Sequence, residues 1–217
     1  MHVLNPSPKT VHWGCFDAAI PAVLTIRSGD QIEIDTVSGG PREVTDLTIF
    51  RPDHLTIVQQ VEQFQGPHIL TGPIAIEGAL PGDTLEIKIL DIQLTVDWGW
   101  NIIRPLRGAL PEDFSVLSQR IIPIDRAKMV ANLPWGVDLP LQPFFGIIGV
   151  APPPEYGRVS SVEPREYGGN IDNKEFCVGT SLFLPIFVPG GNLSVGDGHA
   201  VQGDGEVCLT ALETCLK

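Results

Sequence analysis

The sequence is poor in basic residues and in the short motifs of the common enzyme classes. Its 14 Lys and Arg residues stand against 26 Asp and Glu, which gives a net charge of −12. Nucleic acids and anionic membranes are bound through basic patches, so we expect neither as a partner. The chain also lacks a GxSxG elbow, a P-loop, a GxGxxG turn and an HExxH helix. These absences argue against serine-hydrolase, nucleotide-binding and zincin-type sites.

Cysteines and long apolar runs are also scarce. The chain has four cysteines with no CxxC pair, and no apolar run approaches the length of a membrane span. Its first residues lack the basic and then apolar pattern of a secretory leader. We therefore expect free thiols and a cytoplasmic protein. The cysteines are Cys15, Cys177, Cys208 and Cys215.

The composition predicts a folded, mainly β protein. Apolar residues make up 43% of the chain, and its 23 glycines and 20 prolines leave little room for long helices. Residues 23–26 and 31–37, and later 74–77 and 84–92, flank two Gly-Asp turns and predict two β-hairpins. Short helices are predicted only within residues 41–67. We expect sandwich-like β sheets in a single region, residues 1–217, or in two intertwined β subdomains at about 1–105 and 106–217.

Residues 196–206 hold the densest group of chemically active side chains. Asp197 and His199 are two positions apart, so in an extended segment both point the same way and could bind one metal ion. Asp204 and Glu206 repeat that spacing after a glycine-rich turn, with Gln202 between the two pairs. The alternative is a loop in which aspartate and glycine serve the turns. The crowding of polar groups favours a site.

Three further positions are candidates. Asp97 precedes Trp98 at the end of a β run and could complete a metal shell, or it could be a turn residue beside packed indoles. Glu77 stands among apolar residues and is a candidate general base, or an exposed strand residue before a turn. Asn170 and Asp172 lie in a glycine-rich loop that could bind a substrate oxygen, although turn chemistry explains the loop equally well. His68, which precedes a Thr-Gly-Pro turn, is assigned a structural role.

Taken in order along the chain, these segments resemble the acetamidase/formamidase family of amide hydrolases. The matching segments are residues 21–30, 71–79, 81–83, 97–99, 145–152, 168–172 and 196–213. The resemblance implies a mainly β fold, assembly as a homodimer or larger homo-oligomer, and hydrolysis of short aliphatic amides to a carboxylate and ammonia. It also implies a divalent metal, most often zinc. Family members usually continue past the segment that matches Glu213, so the chain resembles a C-terminally abbreviated member.

The resulting site hypothesis gives each candidate a role. Asp97, Asp197 and His199 are the expected metal ligands, with Asp172, Asp204 and Glu206 as rivals. Glu77, Glu206 and Asp204 are the candidates for proton transfer. Trp98, Asn170, Asp172 and Gln202 are expected to contact the amide. Two alternatives stay open: a non-catalytic β-sandwich module that binds calcium and a ligand, and a hydrolase of another C–N bond, such as that of a cyclic amide.

Overall fold

The computed structural model describes all residues, Met1–Lys217, as a mainly β protein with one α-helix, α1, at Pro52–Gln60. The predicted fold class is confirmed. The strands are β1 (His2–Leu4), β2 (Val11–Trp13), β3 (Cys15–Phe16), β4 (Leu24–Ile26), β5 (Ile32–Ile34), β6 (Ile69–Ile76), β7 (Thr84–Lys88), β8 (Trp98–Ile103), β9 (Ser118–Asp125), β10 (Val130–Leu133), β11 (Val137–Pro140), β12 (Phe144–Gly149), β13 (Val159–Ser160), β14 (Gly168–Asn170), β15 (Ser181–Pro185), β16 (Leu193–Val201) and β17 (Leu212–Thr214). Two single-turn 3₁₀ helices lie at Leu47–Ile49 and Pro154–Tyr156.

One large sheet of 11 strands forms the centre of the molecule. Its main path runs β11-β10-β9-β8-β17-β16-β12-β14, while β6 also pairs with β16 and carries β2 and β4. The two best-connected strands are almost wholly buried: in β16 only Val201 is partly exposed, and in β6 only Ala75 is. Such continuous burial is expected of strands that have neighbours on both sides and packing on both faces. The sheet combines strands from before and after residue 105, and the division into two subdomains stays a prediction.

The two predicted hairpins are wrong, although their turns form. Asp30 and Asp83 each donate a backbone N–H to the carbonyl three residues earlier, at 3.0 Å in both turns. The strands on either side of each turn then pair elsewhere. β4 runs parallel to β6, β5 parallel to β1, and β7 antiparallel to β15. A turn signal is local, whereas the choice of strand partner depends on long-range burial.

Helix α1 covers one end of the large sheet. Pro52 occupies its first turn, where the missing N–H costs nothing, and Asp53 adds a favourable negative charge there. Its buried residues His54 and Ile57 face a core cluster that includes Trp98 and Trp100. The predicted short helices within residues 41–67 are therefore confirmed as α1 and one 3₁₀ turn.

All four cysteines are free thiols, as expected. No helix has both the length and the apolar character needed to cross a membrane.

Candidate functional site

Strand β16 changes its neighbour at Asp197. Residues 193–196 pair with β6 and residues 198–201 pair with β17, so Asp197 lies where one partner ends and the next begins. The backbone of Asp197 has φ +57°, in the left-handed region that aspartate tolerates better than most residues. The change of partner places Asp197 close to residues of several strands.

The imidazole of His199 lies at the centre of that gap and is fully buried. Its Nε2 atom is 3.2 Å from Asp197 Oδ2, 3.3 Å from Glu213 Oε2 and 3.9 Å from Asp172 Oδ1. One ligand atom from each of Asp172, Asp197 and His199 lies within 4.8 Å of the others, and the same holds for His199, Glu206 and Glu213. We call the five residues Asp172, Asp197, His199, Glu206 and Glu213 the acid–imidazole cluster.

Three polar atoms of the acid–imidazole cluster are buried without a hydrogen-bond partner. They are His199 Nδ1, Asp172 Oδ1 and Glu213 Oε2. A buried polar atom without a partner costs free energy, so such atoms are rare in folded proteins unless they serve a ligand. The cluster therefore has polar atoms that are free to bind a ligand.

Gly146 of β12 forms the floor of the cluster. A methyl group at this position would lie 2.6 Å from Asp172 Oδ1, 2.7 Å from Asp197 Oδ2 and 2.7 Å from His199 Cε1. These distances are shorter than any ordinary contact, so only glycine leaves space for the three side chains.

Burial and mutual charge shift the ionisation of the cluster. Burial, together with the Asp197 charge, raises the pKa of Asp172 to about 9 and the pKa of Glu213 to about 8. Burial also raises the pKa of Glu206. Burial also disfavours the charged forms of His199 and Asp197. Even so, the Glu213 and Asp197 carboxylates raise the pKa of His199 well above its ordinary value, and the charge of His199 holds the pKa of Asp197 well below its own. Several carboxyl groups thus compete for one buried imidazole, as at functional sites.

A cavity of about 250 Å³ opens onto the cluster. Asp172, Asp197, Glu206 and Glu213 line it on the acidic side. The remaining wall includes apolar side chains and two arginines. The cavity is thus a concave, largely apolar space with a few convergent polar groups, which is the usual form of a small-molecule site.

His68 reaches the same cavity from the start of β6. Its Nε2 atom is 4.0 Å from Asp197 Oδ2, and its Nδ1 atom is 2.9 Å from the hydroxyl of Ser161. Burial lowers the pKa of His68, which favours the neutral ring. The Ser161 contact fixes the orientation of the ring and turns Nε2 towards Asp197.

Several predicted site residues meet in this place. Asp197 and His199 lie in the cluster, as do Asp172 and Glu206, which were rival ligand candidates as well as candidates for substrate contact and proton transfer. Asn170 lines the cavity, and Gln202 donates from Nε2 to the backbone oxygen of Asp172 at 2.8 Å. The roles assigned to these residues stay predictions. The proximity of the Asp197 and His199 side chains agrees with the two-residue spacing seen in the sequence.

The other predicted residues lie elsewhere. The side chain of Asp97 is 77% exposed and pairs with Arg126 at 3.4 Å, beside a separate surface groove. Glu77 pairs with Arg27, and Asp204 pairs with Lys174; both carboxylates are largely exposed. Trp98 is buried against Phe50 in the core, with ring centroids 6.0 Å apart. The structure therefore brings none of these four side chains to the cluster.

Sequence reasoning missed Glu213. It follows Leu212 on β17, opposite His199 in the strand register, and its Oε1 accepts a hydrogen bond from the Ala211 N–H at 3.0 Å. The one feature of the local sequence that points to a functional role for Glu213 is its position as a carboxylate within a largely apolar segment. That signal gained meaning only when the register placed Glu213 beside His199.

Fold and site together define a β-sheet protein with a buried acid–imidazole centre, of the kind used for metal binding and proton transfer. The chain belongs to the acetamidase/formamidase family, whose model matches residues 7–160 and 155–215. The predicted resemblance is thus confirmed.

Individual proteins of known name also match the chain. The chain is 28% identical to an acetamidase of Mycolicibacterium smegmatis, over 87% of this chain and 59% of that protein. It is also 28% identical to a formamidase of Methylophilus methylotrophus, over 87% of this chain and 57% of that protein. A solved structure of a predicted acetamidase/formamidase from Thermoanaerobacter tengcongensis matches 99% of this chain and 66% of its own length, with a TM-score of 0.83 and 26% identity. The chain spans about three fifths of the curated relatives' length.

Proposed function

We propose that the chain carries a metal-dependent site that hydrolyses short primary amides to a carboxylate and ammonia. The observation that carries the proposal is the convergence of Asp172, Asp197 and His199, with ligand atoms within 4.8 Å of one another, beside a cavity of small-molecule size. Membership of the acetamidase/formamidase family, and relatives named as an acetamidase and a formamidase, favour linear amides as substrates.

The donor set fits a divalent cation. Asp172 Oδ1 and Glu213 Oε2, which accept no hydrogen bond, supply anionic oxygens once deprotonated and leave coordination capacity unused. Asp172, Asp197 and His199 are the residues that would hold the ion. The chemistry that a cation supplies in such a set is Lewis acidity, which polarises a carbonyl group and makes water more acidic. An imidazole beside two carboxylates favours zinc over calcium, since calcium prefers oxygen ligands. The same imidazole argues against the calcium-binding module.

The protein's own residues would bind the amide and move one proton. Water attack forms a C–O bond, the C–N bond breaks, and a proton from water ends on the leaving nitrogen. Glu206 lines the cavity within the cluster, and its raised pKa suits a group that accepts and returns a proton. This role replaces the one predicted for Glu77, whose carboxylate pairs with Arg27. Asn170, at the cavity wall, is positioned to contact the amide.

The test measures bound metal and ammonia release together. Purified protein is analysed for metal content and assayed with formamide and acetamide, with and without added zinc. His199→Ala is compared with His2→Ala, because His2 is a histidine at the surface paired with Asp30. We expect metal and ammonia release in the wild type and in His2→Ala, and loss of both in His199→Ala. A wild-type protein that releases no ammonia from any short amide, with any added divalent cation, would refute the proposal.

A further inference from the structure

Two arginines line the cavity that opens onto the acid–imidazole cluster. Arg104 and Arg107 follow strand β8 and are joined by a turn in which Arg107 donates its backbone N–H to the Arg104 carbonyl at 3.1 Å. They are the only arginine or lysine residues in the cavity lining. The chain has a net charge of −12, so two neighbouring arginine side chains in the wall of a small cavity call for a functional explanation.

The first arginine is held in place by a buried acid. Arg104 Nη2 donates to Glu43 Oε1 at 2.6 Å, and Glu43 Oε2 accepts the backbone N–H of Gly40 at 3.1 Å. Glu43 is 5% exposed, so it is a fixed anchor that neutralises the charge of Arg104 and orients its guanidinium.

The second arginine has no such partner. No Asp or Glu oxygen lies within 4.0 Å of the Arg107 guanidinium, although the chain has 26 acidic residues. Arg107 is thus an exposed residue that lines the cavity without an ion-pair partner. A planar guanidinium presents paired N–H donors that match both oxygens of a carboxylate.

Apolar side chains line the cavity together with the arginines and the cluster. Trp100, which pairs with Glu213 in the strand register, lies four residues before Arg104 on extended chain. The turn that carries Arg107 lies against the segment that follows Glu206, because Ala109 donates its backbone N–H to the Val207 carbonyl at 3.0 Å. The apolar lining residues include Val37, Ile69, Ile102 and Leu209. At about 250 Å³ the cavity is only slightly smaller than the ~300 Å³ and more of sites for drug-sized ligands, and it exceeds what acetamide needs.

We propose that the preferred substrates are monoamides of short dicarboxylic acids, with the amide at the acid–imidazole cluster and the free carboxylate bound by Arg107 beside the Glu43-anchored Arg104. This inference rests on the proposed amide hydrolysis and adds the substrate class. The apolar walls fit the methylene groups between the two ends of such a molecule. Arg107 acts as a specificity residue and takes no part in the proton transfer.

The test compares two amides of equal chain length. Succinamate, the monoamide of succinic acid, carries a carboxylate where butyramide carries a methyl group. We expect the ratio of kcat/KM for succinamate to that for butyramide to exceed one in the wild type and to fall at least about tenfold in Arg107→Gln, as expected for loss of a charge-assisted contact. Arg107→Lys keeps the charge without the paired donors, so its ratio should be intermediate. Arg120→Gln makes the same charge change at an exposed residue outside the cavity and should leave the ratio unchanged.

A binding measurement separates this inference from amide hydrolysis itself. Succinate is titrated calorimetrically into the wild type, Arg107→Gln and Arg120→Gln. We expect affinity to fall at least about tenfold only in Arg107→Gln. If no amide is hydrolysed but succinate binding depends on Arg107, the carboxylate subsite stands and the hydrolytic proposal fails. If neutral amides are hydrolysed while neither the kcat/KM ratio nor succinate binding responds to Arg107→Gln, the substrate class is wrong and the hydrolytic proposal stands.

Discussion

His199 and Glu213 face each other across the ladder between β16 and β17, with Nε2 of His199 3.3 Å from Oε2 of Glu213. Directly opposed residues of an antiparallel pair lie on the same face of the sheet, so the strand register alone brings these side chains together. Glu213 is thereby fixed as a member of the candidate site, although it lies 14 positions further along the chain.

Replacing Glu213 by glutamine tests its part in the site. Glutamine keeps the size and the oxygen that accepts the Ala211 N–H, so the melting temperature should change little. It removes the charge that Glu213 can present to a cation or to His199. We expect a loss of about 10- to 100-fold in cation affinity or kcat, as is typical of groups that support a metal site. Glu86→Gln, on an exposed face of β7, is the matched control. An unchanged affinity and kcat would remove Glu213 from the site.

Asp97 and Asp197 offer a direct comparison of sequence and structure. The sequence predicts both as metal ligands, whereas the Asp97 carboxylate is exposed beside Arg126 and the Asp197 carboxylate is buried against His199. We expect Asp197→Asn to lose bound metal and Asp97→Asn to keep it, as measured by metal analysis of the two purified variants. Equal loss in both variants would restore Asp97 as a ligand and require a different arrangement of residues 94–98.

Gly146→Ala tests the floor of the cluster. The added methyl group would overlap Asp172, Asp197 and His199, all at less than 3.0 Å, so these side chains must move apart. We expect a loss of at least about tenfold in cation affinity together with a lower melting temperature. Gly203→Ala is the control, because a methyl group there meets no atom within 4 Å. Wild-type cation affinity in Gly146→Ala would contradict the placement of the three ligands.

The stability of the fold should fall in acid partly because of His54. This ring is fully buried, stacks on Phe50 and contacts the Gly39 carbonyl through Nε2 at 2.7 Å. Burial lowers its pKa to about 4 from an ordinary value of 6.5. The unfolded chain therefore binds the proton more tightly, so stability is lost as the pH falls from about 6.5 and the loss levels off below about 4. The full effect is on the order of 3 kcal/mol.

The variant His54→Gln measures that contribution, since its amide can still donate to Gly39 but does not titrate. Its stability relative to the wild type should improve as the pH falls from 7 to 4.5 in denaturant titrations. A stability difference that is the same at both pH values would show that His54 does not titrate in this range.

Local pattern singled out four of the five residues of the acid–imidazole cluster, all but Glu213. The spacing of two between Asp197 and His199 singled out this pair, on the expectation that an extended strand puts both side chains on one face. The side chains do meet, although the backbone of Asp197 is left-handed, with φ +57°. Asp97 and Glu77 were singled out by neighbouring residues alone, and nothing local shows that ion pairs with Arg126 and Arg27 hold them at the surface. The Gly-Asp turns at Asp30 and Asp83 were predictable for the same local reason. The partners of the flanking strands were not, because parallel pairing of β4 with β6 depends on residues about 50 positions away.

The exchange of partners along β16 has a consequence for how the protein acquires its chemistry. Asp172, Asp197, Glu206 and Glu213 come from the last quarter of the chain, yet the strand that carries Asp197 is completed by β6 from the first half. Because both flanks contribute to the centre, we expect a cation that binds it to favour the folded state over intermediates that lack one flank. A bound cation would then indicate that the whole chain is folded. The midpoint temperature of unfolding would rise with cation concentration.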